Sequence, residues 1–452
     1  MIPLENAGFT LDIGGVAGFF GGDEVLSAMG TIHLYKGRKY LGWYNSPGSY
    51  TVAKKYGRLA DSRFWKGLFP RDNVDINKFL GFDGEKGPAF LGAHSGTRMS
   101  HTSYIAYLLS SECEQNAETV LENGTDEALP TCSVSVARLS RRPPPDTLIS
   151  TRKTWMAVIP ILASVGSAAT CAYFHDWYCF SMILLGMLSS GVACYAAGRG
   201  TLSFDQPKSS NGSPRGDGVL HSGDKFVVLM GAEQSVCAVT RGWFSLKFDH
   251  QPLEKSGQSG QLEHHHQQHQ QHQHHRMGFS SLLLVVQFLL QLLLIPQGTL
   301  FGQIMFLATF VCSWVYNCYL SSIDKEEVQR GMLMSKVLEI GKPGLKKYTF
   351  AKRTTAVVFL LLILQPQDNE GILNELLPNN TKIWKIWKEQ VLKRLSAGKG
   401  FESLPNDCSD KEERDLLDDL HRYAQIAYAA YEEYNEDVPS PAEMNPANEK
   451  NV

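Results

Sequence analysis

Residues 155–197 read WMAVIPILASVGSAATCAYFHDWYCFSMILLGMLSSGVACYAA: two apolar stretches, Trp155–Phe174 and Trp177–Ala197, with only His175 and Asp176 between them. Each is about 20 residues, the length a helix needs to cross a hydrocarbon core of roughly 30 Å. Neither contains Lys, Arg, Asp or Glu. A two-residue connection forces the helices antiparallel. Trp155, Trp177, Tyr178 and Tyr195 near their ends suit the headgroup level. A buried globular hairpin would need a core large enough to enclose two wholly apolar helices, so a membrane hairpin is expected.

A second hairpin runs from about Ser281 to Ile295, turns at Pro296-Gln297-Gly298 and returns from Leu300 to Leu320. The expected fold class is membrane α-helical, with two transmembrane helical hairpins (four spans) and cytosolic α+β soluble portions. Gln287 and Gln291 stand four apart on one helix face, and amides in lipid need partners. Gln303 and Asn317 on the returning arm are the expected interhelical polar contacts. The four amides read either as helix glue or as part of a solute path.

The charges set an orientation. Arg138, Arg141, Arg142, Arg152 and Lys153 precede the first hairpin, and Arg199, Lys208 and Arg215 follow it. Arg276 precedes the second, Lys325 and Arg330 follow it, and neither turn contains Lys or Arg. The positive-inside rule then puts both turns outside or in a lumen, with both termini and the middle segment cytosolic. The first apolar patch, Val16–Phe20, is broken by glycines and too short for a signal peptide.

The divisions expected are a β-containing cytosolic domain over 1–120, a linker over 121–153, and hairpins over 154–198 and 278–321. A cytosolic segment at 199–277, a helical cytosolic region at 322–437 and a disordered tail at 438–452 complete the chain. Net charge is −3, which gives no drive toward nucleic acid. Nine cysteines lack CxxC or zinc-ligand spacing. Cys113, Cys132, Cys237 and Cys408 are expected as free thiols in a reducing cytosol, and no cofactor or metal is implied.

Within the N-terminal piece, Gly30–Tyr35 and Lys39–Tyr44 read as strands between glycine-bearing turns. The glycine-rich opening at 9–23 suggests a dinucleotide loop but departs from G-x-G-x-x-G, because Val16 stands two places after Gly14. A turn is the better reading. In the middle piece, Lys225–Met230 reads as a strand, Ala232–Val239 as a short helix and the stretch from Trp243 as another strand. Too small for its own core, this unit should pack on a flanking piece. Arg215-Gly-Asp217 resembles an integrin-binding tripeptide but is expected in the cytosol. The tract His264–His275 holds seven of the chain's fourteen histidines. It could bind metal, but no ligating His or Asp accompanies it within the spans, so a disordered His/Gln linker is expected.

In the C-terminal piece, Ala356–Leu364 is too short to span and reads as a core element. Thr381–Leu395 is amphipathic, with Ile383, Trp384 and Trp387 on one face and Lys382, Lys385 and Lys388 on the others. It suits either the chain's own core or a membrane surface, where anionic lipid headgroups would be partners. Ser409-Asp-Lys-Glu412 is a capping box opening a long acidic helix. Leu416, Leu420, Tyr423, Ala427, Ala430 and Tyr434 are its candidate seam, and Leu417, Tyr428 and Tyr431 form a second stripe.

The paired hairpins, together with Pro214-Arg-Gly-Asp-Gly, Val-Val-Leu-Met-Gly-Ala-Glu233, Thr240-Arg-Gly-Trp-Phe-Ser-Leu and Leu377-Pro-Asn-Asn-Thr-Lys-Ile-Trp-Lys-Ile-Trp-Lys, resemble a group of membrane proteins of mushroom-forming fungi. The resemblance covers most of the chain after about residue 150. It implies a source but brings no known activity.

Three functions fit. A membrane-anchored scaffold or regulatory protein, with the bilayer and an unidentified protein as partners, fits the absence of a catalytic motif. An oligomeric small channel or transporter would use the amides. A membrane-tethered enzyme would draw on His33, His94, His101, Asp61, Asp72 and Asp75, which no spacing ties together.

Overall fold

The computed structural model describes residues 23–59, 63–68, 76–123, 132–140, 148–150, 155–210, 212–247, 262–340, 345–398, 400–401 and 410–436. Helices α1 (Asp23–Leu34), α2 (Ser49–Leu59), α3 (Arg63–Leu68) and α4 (Ile76–Leu80) come first, then β1 (Ala89–Gly92) and β2 (Arg98–Met99). Helix α5 (Tyr104–Asn116), β3 (Glu118–Asn123) and β4 (Cys132–Arg138) precede the first apolar pair, α6 (Val158–Tyr173) and α7 (Trp177–Ala197). Then follow β5 (Thr201–Asp205), β6 (Gly218–Ser222), β7 (Lys225–Met230), α8 (Glu233–Arg241) and β8 (Trp243–Lys247). The second apolar pair is α9 (Leu262–Leu294) and α10 (Leu300–Ser321). Last come α11 (Lys325–Met332), β9 (Leu345–Phe350), α12 (Arg353–Leu364), α13 (Asn369–Leu376), α14 (Lys382–Ala397) and α15 (Lys411–Glu436).

The chain divides into two compact units, each assembled from three stretches. Unit 1 takes 1–84, 145–204 and 244–332; unit 2 takes 85–144, 205–243 and 333–452. The expected single domain over 1–120 is therefore wrong: its first part belongs to the unit that holds the apolar hairpins. The expected linker over 121–153 is also wrong, because β4 lies inside a sheet.

Among the described residues, unit 1 contains four helices long and apolar enough to cross a membrane. They leave an apolar outer surface that includes Leu162 on α6, Leu188 on α7, Leu289 and Leu293 on α9, and Val315 on α10. Exposed apolar side chains in such density fit a lipid-facing surface better than a water-facing one. Helix α7 packs against α6, α9 and α10, while α1 lies along α10 and α2 along α9. The strands expected at Gly30–Tyr35 and Lys39–Tyr44 are instead the end of α1 and a short 3-10 turn leading into a loop. The reason is periodicity. Val25, Ala28 and Ile32 recur at helical spacing and are all buried, with Asp23 and Glu24 in the helix's first turn.

Unit 2 is built on a seven-stranded sheet, β2-β1-β6-β7-β4-β9-β3. The β4–β7 and β3–β9 pairs are parallel and the other pairs antiparallel. On one face Leu91, Val134, Val136, Val219, Phe226, Val228, Tyr348 and Phe350 meet α12, α14 and α15 in a single core. Every residue of α12 from Thr354 to Leu364 is buried there, as a helix too short to span must be. Each large side chain so enclosed contributes about 1.5–3 kcal/mol. Strand β7, α8 and β8 form where expected after residue 224 but do not make one unit: β7 is the neighbour of β6 and β4 in this sheet, whereas β8 pairs with β5 and passes into unit 1.

Three further expectations need correcting or placing. The His/Gln tract is not an irregular linker, since the backbone of α9 is helical from Leu262 and runs into the third span. It carries no Pro or Gly before Gly278 to interrupt the ladder. Leu416 is exposed and not part of the α15 seam, whereas Leu417, Leu420, Ala424, Ala427, Ala430 and Tyr434 face the core. The capping box at Ser409, the glycine-rich opening and the tail from 438 lie outside the described residues.

Candidate functional site

The second face of the unit 2 sheet looks across a cleft to α5, which packs on α8. Strand pairing fixes what it presents. Ser133 pairs with Thr349 and with Lys225, and Lys225 pairs with Ser222, so these four side chains form one row. The next row is Lys347, Ser135, Val227, Leu220 and Phe90. The period of two that sends Val134 and Val136 into the core sends Ser133 and Ser135 to this face.

Between these rows and α5 lies a cleft of about 670 Å³, within the size range of small-molecule sites. Tyr107, Ser110, Ser111 and Glu114 line it from α5, and Lys86 and His101 stand on its rim segments. Glu114 forms an ion pair with Lys225, and its carbonyl accepts from Lys347 Nζ at 3.1 Å. This ties the end of α5 to two strands and holds the cleft open. Hydroxyls and amines dominate the lining. Neither His101 nor His221 is hydrogen-bonded to a cleft serine, so no activated nucleophile is assembled. Burial lowers the pKa of His221. Burial also pushes the Cys113 and Cys132 thiols up to about 12, which makes them inert.

A second polar cluster fills the interior of unit 1. The loop from Leu41 to Gly48 enters the helix bundle, and Asn45 at its tip is fully buried. Asn45 Nδ2 donates to Thr309 Oγ1 on α10 at 2.9 Å, and its backbone N–H donates to Ser164 Oγ on α6 at 3.1 Å. Gln291 Nε2 on α9 donates to Asn45 Oδ1 at 3.3 Å, and Gln287 Nε2 donates in turn to Gln291 Oε1 at 3.3 Å. Gly186 on α7 makes room: a Cβ there would come 1.9 Å from Asn45 Oδ1. One amide thus touches all four apolar helices about 16 Å from the Ala197 end of α7, counting helix rise. Irregular backbone at such depth is tolerable where protein encloses it.

The four amides expected to pair with one another therefore divide. Gln291 binds the loop at Asn45, and Gln287 backs it by donating to Gln291 Oε1. Asn317 Nδ2 donates to Ser46 Oγ at 3.3 Å and its Oδ1 accepts from Tyr44 at 3.2 Å. Gln303 closes its own turn, donating to the carbonyls of Ile295 and Gly298. At the hairpin turns Asp176 is buried, caps α7 through Cys179 N–H, and accepts from Thr299 N–H and Oγ1 at 2.8 and 2.7 Å. One carboxylate fastens both turns at the positive ends of α7 and α10.

The remaining sequence candidates are placed as follows. His33 is buried in α1 with Nδ1 3.0 Å from Gly200 O; desolvation takes its pKa down to about 4. His94 stands 3.6 Å from Asp217, which also accepts from Arg215 and from Gly231 N–H. Asp217 is therefore buried within the Arg-Gly-Asp tripeptide and unavailable to a partner. Asp61, Asp72 and Asp75 lie outside the described residues. Ile383 and Trp387 of α14 are in the core, Trp384 packs against it, and Trp387 Nε1 donates to Leu420 O at 3.0 Å. Lys388 is buried, its Nζ held by Asn374 and the Leu377 carbonyl, while Lys382 pairs with Glu413. Lys385 lies on the outer side of the helix. The apolar face of α14 is thus consumed by unit 2 and does not remain for a membrane surface. Among the described residues no cluster of His, Cys, Asp and Glu could hold a metal.

Serines 133 and 135 were the residues missed. The alternation Cys-Ser-Val-Ser-Val-Ala-Arg is a half-buried strand pattern that the surrounding polar stretch obscured. No family model matches the chain, and no curated protein or solved structure is found similar to it.

Proposed function

We propose that this is a membrane-anchored regulatory protein whose spans fix unit 1 in a bilayer and whose soluble unit 2 recognises a small polar solute. The observation that carries the reading is the cleft of about 670 Å³ lined from the sheet by Ser133, Ser135, Ser222 and Lys225. A roomy polar cavity on a rigid sheet, lacking a nucleophile–base pair, suits recognition better than turnover. Occupancy would be passed to an unidentified protein partner, which makes the scaffold role a regulated one.

The sheet also supports the orientation. Strands β1–β4 come before the first hairpin, β6 and β7 between the hairpins, and β9 after the second. One folded sheet requires all three stretches on one side of a bilayer. Each apolar pair then enters and leaves on that side, and the Lys and Arg flanks favour the cytosol for it. A solute path through one copy finds no support, since the amides that would line it are occupied by the Asn45 loop.

The test uses the full chain in detergent micelles. Thermal unfolding is followed against a panel of small polar metabolites, for the natural protein and for Ser135→Phe. A stabilising compound whose effect disappears in Ser135→Phe supports the reading. Stabilisation that survives a filled cleft, or none across the panel, refutes it. Glycosylation in microsomes at any of the sequons Asn123-Gly-Thr, Asn211-Gly-Ser and Asn379-Asn-Thr would overturn the orientation.

A further inference from the structure

Arg38 is the one arginine among the described residues that is almost fully enclosed, with 2% of its surface exposed. It sits in the 3-10 turn after α1, against the last turns of α7 and α10. Its neighbours are neutral. Nη1 donates to Leu41 O at 3.1 Å and lies 3.9 Å from Cys194 Sγ, and Nη2 donates to the Tyr44 hydroxyl at 3.2 Å. The guanidinium carbon lies 5.4 Å from the centre of the Tyr316 ring. Among the described residues no carboxylate reaches it. A guanidinium has five N–H donors, and Nε is buried without any partner.

This cation also lines a cavity. The space is about 30 Å³ and is bounded by Arg38, Gly42, Tyr44, Ser46, Cys194 and Asn317, among others. A buried charge with no counter-charge is costly in a bundle of apolar helices, and such charges ordinarily pair or mark a site. The volume admits one or two bodies the size of water. That is too small for a phosphate or sulfate group, and the enclosure of Arg38 keeps a lipid headgroup away.

We propose that this cavity binds a small monovalent inorganic anion, chloride, as the counter-ion of Arg38. The free Nε–H points to the charge the ion must carry. Asn317 has a second N–H beyond the one given to Ser46, and the Tyr44 hydroxyl can turn from Asn317 to the ion. The anion locks the 38–46 loop against α7 and α10, so the wedge at Asn45 depends on it. The site is independent of the solute cleft in unit 2.

The test is made on the full chain in detergent. Radiolabelled chloride should bind saturably to one site, and the unfolding midpoint should rise with chloride concentration when gluconate is replaced at constant ionic strength. Asn317→Asp puts a fixed carboxylate at the wall of the same cavity, joined to the guanidinium through the Tyr44 hydroxyl. That variant should unfold at least as high without chloride as the natural protein does with it, and should no longer respond to the ion. Arg38→Met should lose binding. Should Arg38→Met fail to fold, the natural protein and Asn317→Asp decide the matter. Absence of saturable binding, a midpoint indifferent to chloride, or an undiminished chloride response in Asn317→Asp would each overturn the proposal.

Discussion

The polar residues around Asn45 and those lining the unit 2 cleft are similar in kind, hydroxyls and amides, but opposite in circumstance. In the bundle every contact of Asn45 is made to another buried group, and the space left over is about 30 Å³. In the cleft Ser133 and Ser135 stand on a sheet face that opens onto about 670 Å³. A closed cluster fixes one arrangement of helices, because any unpaired member is expensive; an open one leaves its donors to water or to a ligand. Polarity by itself therefore does not mark a ligand site in this molecule. The space around it does.

Asn45→Leu should show the largest effect on the closed side. It leaves Gln291 and Thr309 short of a side-chain partner, while the bond from the backbone N–H to Ser164 remains, and two such losses sum to about 4 kcal/mol. Unfolding in detergent measures it. A cost below about 1 kcal/mol, the worth of a single exposed polar contact, would mean that the loop is a surface feature and the contrast fails.

His33 tests the same closed region by pH. Its folded pKa of about 4 lies below the unfolded 6.5, so between these values the unfolded chain binds more protons. Stability is then fully present above pH 6.5 and is lost as pH falls toward 4. Over that window the loss is about 3 kcal/mol, at 1.36 kcal/mol for each unit. His33→Gln should flatten the profile. An unchanged acid limb would place the titration on other groups.

Much of the architecture can be read from residue order, and the failures share a cause. The hairpins, the strand at Lys225–Met230, the buried helix at Ala356–Leu364 and the docked face of Trp387 follow from length and periodicity alone. Residues 30–44 misled because Thr-Ile-His-Leu alternates for a few positions inside a longer helical period. The polar partners misled for another reason. Gln291 demands a partner, but nothing local says that it comes from Asn45, 246 positions away. Leu416 and Leu417 both fit a helical stripe, and only the sheet and α12 decide which of them turns inward. Pairings across the chain are tertiary facts, and the candidate cleft is of that sort: three separate stretches bring its rows together.

Asp176→Ala probes the other end of unit 1. The carboxylate accepts from Cys179 N–H and from both donors of Thr299, and its loss should cost about 2 kcal/mol, an N-cap plus a charge-assisted bond. Asp176→Asn should recover part of this, since its carbonyl oxygen still accepts. Equal losses in the two variants would show that charge at the paired helix ends matters more than the capping bond.

The smallest expected effect is the one that sharpens the contrast most. Ser133→Ala with Ser135→Ala removes two hydroxyls from the sheet face that opens on the cleft, and no described hydrogen bond of the fold is lost. The unfolding free energy should stay within about 0.5 kcal/mol of the natural protein, because water supplies what the hydroxyls give up. Two hydroxyls removed from the Asn45 cluster, by Ser164→Ala with Thr309→Ala, should cost several times as much, since no water replaces them there. If the cleft pair proved equally costly, its serines would be bonded into the fold in solution, and the cleft would be a structural polar layer with no ligand to await.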